Sequence, residues 1–219
     1  MLDWDKIVEA AIPYEEQYTQ PGSYASKIWI TVACLRRSYY DRVDPIKETN
    51  VERKKWFVTQ QHGIIVGQMV VDFFKRAGMW LGDEVRGGAK DYNLTYRSDM
   101  IVNDDGVAVP VEVKSVKAKK WGDLMDDGWK GDYAHLLQIQ CYIHFHQPEP
   151  YPYGYLLYFN RNTDEVKLIV VEHDEDMAEF IEKELESLEM YVEAGEEPSI
   201  DDVDVYDCKY CPYRKRCGK

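Results

Sequence analysis

Two carboxylates and a lysine lie close together in the middle of the chain, on what the sequence predicts to be the two strands of a hairpin. Asp99 lies on the first strand, and Glu112 and Lys114 lie on the second. Because side chains two residues apart on a strand share a face, Glu112 and Lys114 point to one side and the hairpin brings Asp99 beside them. Paired carboxylates suit a hard divalent cation such as Mg²⁺ or Mn²⁺, which polarises a phosphodiester and lowers the pKa of a bound water. The lysine ammonium orients that water or stabilises charge on the phosphate.

The same residue types also occur on an ordinary solvated strand face, and these three positions alone leave that alternative open. The surroundings of Glu112 favour a site, because Val109–Val113 is otherwise apolar and buried carboxylates need a compensating ion. The backbone carbonyl of Val113 is a further candidate metal ligand.

Cysteines form a second group with metal-binding chemistry. Cys208, Cys211 and Cys217 crowd into the end of the chain with the spacing C-x2-C-x5-C, and Cys34 stands alone near the N-terminus. Four thiolates suit either tetrahedral Zn²⁺ or an iron–sulfur cluster, and the spacing leaves both open. The fifth cysteine, Cys141, lies within a predicted helix, where we expect a small core residue.

Hydrophobic periodicity predicts the elements that must position these groups. Helical spacing covers residues 24–40, 52–77, 133–146 and 174–194, and strand-like runs cover 94–102, 107–115, 153–160 and 165–171. Asn103–Gly106 has the composition of a hairpin turn, and 118–130 is predicted to be a loop. The mixture of strands and helices along the chain predicts an α/β (α+β) fold class.

The net charge of −13 is concentrated in one segment. Between Val171 and Asp207 there are 16 acidic residues and one basic residue, Lys183, whereas the rest of the chain has 26 Lys and Arg against 24 Asp and Glu. Since phosphate binding depends on local potential, the acidic composition does not exclude a nucleic-acid substrate. No apolar run approaches the length of a transmembrane helix and the N-terminus lacks a signal-peptide pattern, so we expect a cytoplasmic protein.

The strand residues resemble a known family. Arg97-Ser98-Asp99 and Glu112-Val113-Lys114 are similar to the RecB-like branch of the PD-(D/E)xK nucleases. Gln138 and Tyr142 match the Gln-x-x-x-Tyr motif that this branch has on the next helix, where one turn places both on one face. The resemblance implies a restriction-endonuclease-like core, a central mixed sheet flanked by helices. It also implies that the two carboxylates bind the metal, while Gln138 and Tyr142 hold DNA or the catalytic lysine.

The family also has a metal-binding histidine in a Gly-x-x-x-His pattern on an earlier helix, and this chain departs from that pattern. Gly67 is followed four residues later by Val71 rather than by histidine. His62, about one turn earlier, is the ligand that a shifted pattern would supply. The alternative is a packing histidine, with the metal held by the two carboxylates alone or with Asp72 as a substitute.

The surroundings of the cysteines resemble those in a narrower group of nucleases, which carry a 4Fe–4S cluster. Cys34–Tyr40 precedes the nuclease core and Cys208–Cys217 follows it, a layout similar to that of the small CRISPR-associated exonucleases. The resemblance implies that the cluster is bound by Cys34, Cys208, Cys211 and Cys217. It implies a single nuclease domain over 1–219, with a helical N-terminal part at 23–50, a RecB-like core at 51–195 and an iron–sulfur segment at 196–219.

A basic run follows the second catalytic strand directly. We expect it to contact DNA phosphates and to stack on a base, and its members are Lys117, Lys119, Lys120 and Trp121. Short basic runs are also common on solvated surfaces, and this alternative stays open.

Together these features and the resemblance predict a Mg²⁺- or Mn²⁺-dependent DNA exonuclease, and the resemblance implies that it acts at single-stranded ends or overhangs. The resemblance implies a role in CRISPR adaptation, phage DNA processing, or recombination and repair, with a CRISPR integrase or recombination proteins as partners. One alternative is a non-catalytic iron–sulfur DNA-binding subunit that assists an integrase or recombinase. Another is a nuclease whose cysteines bind zinc.

Overall fold

The computed structural model describes residues 22–46, 50–200, 208–209 and 211–218 of the chain. Its strands are β1 (Ser23–Tyr24), β2 (Trp80–Ala89), β3 (Leu94–Asp104), β4 (Val107–Val116), β5 (Tyr153–Asn160) and β6 (Val166–Glu172). Its α-helices are α1 (Ile28–Ala33), α2 (Leu35–Val43), α3 (Asn50–Arg76), α4 (Ala118–Asp126), α5 (Tyr133–His144), α6 (Glu175–Ala194) and α7 (Arg214–Cys217). Short 3-10 helices lie at Ala25–Lys27 and Lys90–Tyr92.

The described strands form one mixed sheet in the order β1-β3-β4-β5-β6, with β2 paired to β3. β1 runs parallel to β3 and β4 runs parallel to β5, whereas the β2–β3, β3–β4 and β5–β6 pairs are antiparallel. A parallel pair needs a crossover connection, and α4 and α5 lie in the connection between β4 and β5. The predicted fold class, a central mixed sheet flanked by helices, is confirmed.

β3 and β4 separate partway along their length. Their ladder runs from Asp104–Val107 beside the turn to Met100–Val111, and one further step would pair Asp99 with Glu112. Beyond that point β4 continues beside β5, while β3 pairs with β1 at Leu94 and Thr95. Asp99 and Glu112 therefore lie at a fork where two strands of the sheet part.

The hairpin turn between β3 and β4 forms where the sequence predicts it. Asp105 and Gly106 both have positive φ, at 48° and 94°, as a two-residue turn of type I′ requires. The Gly106 N–H donates to the side-chain oxygen of Asn103 at 2.8 Å. These contacts close the end of the hairpin that is remote from the fork.

Helices cover both faces of the sheet. On one face, α3 packs against β3, β4 and β5 in a cluster of Val70, Val71, Met100, Val102, Val109, Val111, Leu157 and Phe159. On the other face, α5 is buried at every position from Leu137 to Ile143, and it packs against Ile101 and Leu156. α6 packs outside α5 and reaches α1 and α2.

Residues near the two ends of the chain pack together away from the sheet. Tyr39 and Tyr40 of α2 are buried with Leu188 of α6 and with Tyr213, which precedes α7. The ring centroids of Tyr40 and Tyr213 lie 5.2 Å apart. The Tyr40 hydroxyl donates to Glu197 at 2.7 Å, so that the segment after α6 is fixed to α2 as well.

Polar contacts reinforce this junction. The Tyr213 hydroxyl donates to the Asp41 carboxylate at 2.7 Å and accepts the Ile46 backbone N–H at 3.2 Å. Arg216 donates to Asp44 at 2.7 Å. Side chains of the C-terminal segment therefore hold it against α2 and the residues that follow α2.

β2 and α4 both differ from the sequence prediction. β2 was not predicted as a strand, because its sequence is rich in glycine and charged residues, and none of its side chains is buried beside its single partner strand. α4 replaces the predicted loop: the helix buries Trp121 and Leu124 on one side, although Gly122 interrupts its pattern.

The predicted helix over 24–40 is interrupted at Cys34. This residue has extended backbone angles, φ −161° and ψ 95°, and it ends α1 and begins α2. Its carbonyl oxygen accepts the backbone N–H groups of Arg37 and Ser38, as an N-cap residue does. No helix of the described residues is both long and apolar enough to cross a bilayer.

Candidate active site

Asp99 and Glu112 lie at the fork between β3 and β4, on the face that α5 covers. Ile101, two residues after Asp99, belongs to the apolar cluster of α5, and Glu112 is hydrogen-bonded to α5 directly. The Asp99 carboxylate accepts the Val113 backbone N–H at 2.7 Å, and this bond joins β3 to β4 past the end of their ladder. The two carboxylates therefore share one face of the sheet.

A hydrogen-bonded ring surrounds Glu112. Lys114 Nζ lies 2.7 Å from Glu112 Oε1 and donates to Gln138 Oε1 at 2.7 Å. Gln138 Nε2 donates to Glu112 Oε1 at 2.8 Å, and the Tyr142 hydroxyl donates to Glu112 Oε2 at 3.0 Å. Glu112 is 4% exposed and Tyr142 is 1% exposed. The lysine ammonium is thus fixed by one acceptor on its own strand and one on α5.

The surroundings of Asp99 disfavour its ionised form. Burial raises the pKa of Asp99 to about 7, and the neighbouring charge of Glu112 contributes to the rise. The Val113 N–H, Lys114 and Arg97 lower the same pKa without cancelling the effect. A divalent cation would favour the ionised form, and two carboxylates at one fork are suitable ligands for Mg²⁺ or Mn²⁺.

His62 does not join the two carboxylates. Its side chain is exposed on α3, and its Nδ1 lies 3.4 Å from a guanidinium nitrogen of Arg161. Within the part of the chain that the structure describes, no three His, Cys, Asp or Glu side chains are placed to hold one metal ion. The metal-ligand role of His62 stays a prediction, as does the alternative of a site held by Asp99 and Glu112 alone.

His135, which was not predicted to belong to the site, lies beside the lysine. Its Nδ1 is 2.9 Å from the hydroxyl of Tyr158, the residue that pairs with Lys114 across the β4–β5 ladder. Burial lowers the pKa of His135 to about 4, with Lys114 and Lys120 acting in the same direction. The signal in the sequence is its spacing, because His135 precedes Gln138 by three residues and such residues are neighbours on a helix.

The basic run after β4 divides into two kinds of residue. Lys117 and Lys119 are exposed, whereas Lys120 forms an ion pair with Asp132 at the start of α5. Trp121 is 8% exposed and packs edge-on against Trp129, with 4.7 Å between centroids. Stacking of Trp121 on a base, which the sequence suggested, is therefore corrected: its ring belongs to the core.

Four of the cysteines lie in the parts of the structure formed by the two ends of the chain, and charges of neighbouring cysteines influence Cys34 and Cys217. All four are free thiols and half-buried. Burial raises the pKa of Cys34, with a contribution from the charges of Cys211 and Cys208, and burial with neighbouring cysteines has the same effect on Cys217. Cys141 is fully buried within α5, as expected of a core residue. Within the described residues, no three of these cysteines are placed to hold a single metal ion, so their role as ligands stays a prediction.

Comparisons with known proteins agree with this fold. The family model of the PD-(D/E)XK nuclease superfamily matches residues 4–218. No curated protein matches the chain.

Solved structures share the fold at low sequence identity. The crystal structure of SSO0001 is 17% identical, with a TM-score of 0.59, over 97% of this chain and 92% of that one. An alkaline exonuclease, LHK-Exo from Laribacter hongkongensis, is 13% identical, with a TM-score of 0.58, over 87% of this chain and 93% of that one. LHK-Exo in complex with dAMP is 13% identical, with a TM-score of 0.58, over 80% of this chain and 89% of that one.

Proposed function

The chain belongs to the PD-(D/E)XK nuclease superfamily, and we propose that it is a Mg²⁺- or Mn²⁺-dependent DNA exonuclease acting at single-stranded ends or overhangs. One observation carries this proposal: at the fork, Asp99 and Glu112 share a face, and Lys114 is fixed between Glu112 and Gln138. A site with two carboxylate ligands and an oriented ammonium is suited to phosphodiester hydrolysis.

Each residue of the site has a distinct task in this proposal. The bound divalent ion supplies Lewis acidity, which polarises the phosphodiester and lowers the pKa of a water. Asp99 and Glu112 offer it oxygen ligands, and the Val113 carbonyl stays a predicted third one. Lys114 orients the attacking water and stabilises negative charge on the phosphate. Gln138 and Tyr142 position Glu112 and the lysine.

DNA ends are the proposed substrate. The fold is shared with a protein described as an alkaline exonuclease, which supports the nuclease class, and the preference for single strands is an inference from family resemblance. Exposed Lys117 and Lys119 follow β4 and are suited to phosphate contacts. We place the activity inside the cell, in CRISPR adaptation, phage DNA processing, or recombination and repair, with an integrase or recombination proteins as partners.

The test is degradation of DNA labelled at its 5′ or 3′ end, with Mn²⁺ or with EDTA. Lys114→Ala should lower the rate at least about 100-fold, because the oriented ammonium is lost. Lys183→Ala, a matched control on the exposed side of α6, should leave the rate unchanged. Equal rates for Lys114→Ala and the parent would rule out this active site. A circular single strand should resist cleavage, and rapid cleavage of the circle would show an endonuclease instead.

We also propose that Cys34, Cys208, Cys211 and Cys217 bind a 4Fe–4S cluster. The support is the number and type of these side chains, four thiols from both ends of the chain, and their proximity: the charges of neighbouring cysteines contribute to the raised pKa of Cys34 and of Cys217. Anaerobic purification followed by iron, sulfide and zinc analysis tests it. Iron and sulfide in equal amounts, with a brown colour, are expected. One zinc per chain without sulfide would favour the zinc alternative.

The non-catalytic DNA-binding subunit is the rival function. The complete set of two carboxylates and a lysine argues against it, because binding alone does not require that set. Tight DNA binding by the parent protein, without cleavage in either Mg²⁺ or Mn²⁺, would favour the rival.

A further inference from the structure

A cavity of about 200 Å³ lies beside the candidate active site and shares a wall with it. Five rings line the cavity, those of Tyr96, Tyr142, Phe145, His146 and Tyr151. Tyr142 belongs to both places, because its ring lines the cavity while its hydroxyl donates to Glu112. Ser98, next to Asp99 in the chain, also lines the cavity. A molecule bound there lies against the side chain that positions the catalytic glutamate.

The aromatic walls are held in place by contacts within the protein. The Tyr96 hydroxyl donates to the Phe145 carbonyl at 3.4 Å, and the rings of His146 and Tyr151 stack with centroids 3.8 Å apart. Gly87 is the cross-strand partner of Tyr96, and a Cβ at this glycine would lie 2.3 Å from the Tyr96 ring. The absence of a side chain at Gly87 therefore lets the tyrosine ring lie across β2 and form one wall.

One of the residues that line the cavity is a cation. Arg86 lines it, is exposed, and has no hydrogen bond or ion pair with any described residue. Arg86 lies directly opposite Arg97 in the β2–β3 ladder, and like charges in such a pair are destabilising. Arg97 is paired with Glu84 at 3.4 Å, so the charge without a partner is that of Arg86. An anionic group bound beside the cavity would supply that partner.

We propose that this cavity binds the base of a single nucleotide at a DNA end, with Arg86 contacting a phosphate of the same strand. This assignment rests on the proposed nuclease function and specifies how that function selects ends. Rings are suited to stack on a base of any sequence, and a guanidinium is suited to a phosphate. The volume is below the roughly 300–1,000 Å³ of pockets for drug-sized ligands, so it admits one ring system and not two.

The test separates the base from the phosphate. Binding of dAMP, deoxyadenosine and deoxyribose 5-phosphate is measured by calorimetry in EDTA, so that no divalent ion links a phosphate to the carboxylates. The parent should bind dAMP saturably and deoxyribose 5-phosphate at least about fivefold more weakly, the lower end of what one stacked base contributes. Arg86→Ala should weaken dAMP binding about tenfold and leave deoxyadenosine binding within about twofold.

Arg76→Ala removes the same charge from an exposed position outside the cavity and should leave all three affinities unchanged. The pocket assignment is wrong if dAMP does not bind saturably at millimolar concentration, if it binds no better than deoxyribose 5-phosphate, or if Arg86→Ala and Arg76→Ala behave alike. DNA cleavage by the parent is measured separately. Cleavage without dAMP binding overturns the pocket alone, whereas dAMP binding without cleavage overturns the nuclease proposal alone.

Discussion

The site at the fork and the cysteine region, defined as Cys34, Cys208, Cys211 and Cys217, are organised in opposite ways. At the fork, the reactive groups bond to one another: the Glu112 oxygens and the Lys114 ammonium all have partners. In the cysteine region the hydrogen bonds are formed by the surrounding residues instead, such as Tyr213 with Asp41 and Arg216 with Asp44.

Burial, together with the charges of neighbouring cysteines, raises the pKa of Cys34 and of Cys217. Groups that bond to one another are arranged by the protein alone, whereas buried thiols act as thiolate ligands only when a bound metal centre displaces their protons. We therefore expect changes at the fork to affect the reaction more than the fold. Changes in the cysteine region should affect the fold more than the reaction.

The largest expected effect is that of Glu112→Gln. The amide keeps the shape of the carboxylate but loses a metal ligand, so kcat/KM for labelled DNA should fall about 1,000-fold. The melting temperature in EDTA should change by only a few degrees, because a charge that opposes Asp99 is removed while one acceptor for Lys114, Gln138 or Tyr142 is lost. Glu179→Gln, on the exposed side of α6, is the matched control and should alter neither quantity. A large loss of stability in Glu112→Gln would contradict the expectation that changes at the fork affect the reaction more than the fold.

The next effect is that of Cys211→Ser. If the four thiols hold one cluster, the crosslink joins distant parts of the chain, and its loss should lower the free energy of unfolding by about 2–4 kcal/mol, as loss of a covalent crosslink does. Denaturant unfolding under anaerobic conditions measures this. Nuclease activity per folded molecule should stay within a few-fold of the parent.

Removal of the cluster provides the control for that substitution. After chelation of iron, the parent and Cys211→Ser should unfold alike, because both lack the crosslink. If the difference in unfolding free energy persists without iron, it comes instead from the packing of Cys211 against Tyr39, Tyr40, Leu188 and Tyr213.

A smaller effect concerns the pH dependence of the metal-free protein. The folded-state pKa of Asp99, about 7, exceeds the ordinary value of 3.8. The folded protein therefore holds a proton that the unfolded chain releases, and stability falls as pH rises from about 4 to about 7. Asp99→Asn should remove this part of the slope in urea unfolding measured across that range.

Added Mg²⁺ should reverse the sign of that dependence. The ion binds the ionised carboxylate, so the stabilisation that it provides should grow as pH rises towards 7. Stabilisation by Mg²⁺ that is independent of pH, or equal in Asp99→Asn, would argue against Asp99 as a ligand.

The smallest expected effect is that of Tyr213→Phe. The hydroxyl bonds to Asp41 and Ile46 would be lost, which should cost about 1 kcal/mol each or less, without change in nuclease activity. Tyr39→Phe is the matched control, because that tyrosine is buried in the same cluster and its hydroxyl forms no hydrogen bond within the described residues. Equal losses of unfolding free energy in the two variants would show that ring packing alone holds the C-terminal segment against α2.

The sequence predicted the hairpin and its turn because alternation, turn residues and the acidic–lysine pattern are all local. The spacing of Glu112 and Lys114 is set by the pleat of one strand, and Asn103–Gly106 has its own turn chemistry. The fork itself was not predictable, since it depends on β1 and β5 taking positions beside strands distant in sequence. Such pairings leave no periodic signal along the chain.

Two kinds of residue escaped prediction for a related reason. The glycines of β2 lower strand propensity, and their role becomes visible only when Tyr96 lies across Gly87. Trp121 and Lys120 follow each other in a basic run, yet one is buried and the other is paired with Asp132. Whether each side chain is buried or paired depends on its partners at the start of α5 and at Trp129. The composition of the run does not reveal these partners.

The closed tip of the β3–β4 hairpin has a practical consequence. Several ladder pairs separate Asp105 and Gly106 from the point where the strands part, and both tip residues are exposed. Extra residues or a fluorescent probe inserted between them should leave catalysis intact, because the ladder pairs keep the tip away from the site residues. This position is therefore suited to a reporter that follows the enzyme on DNA.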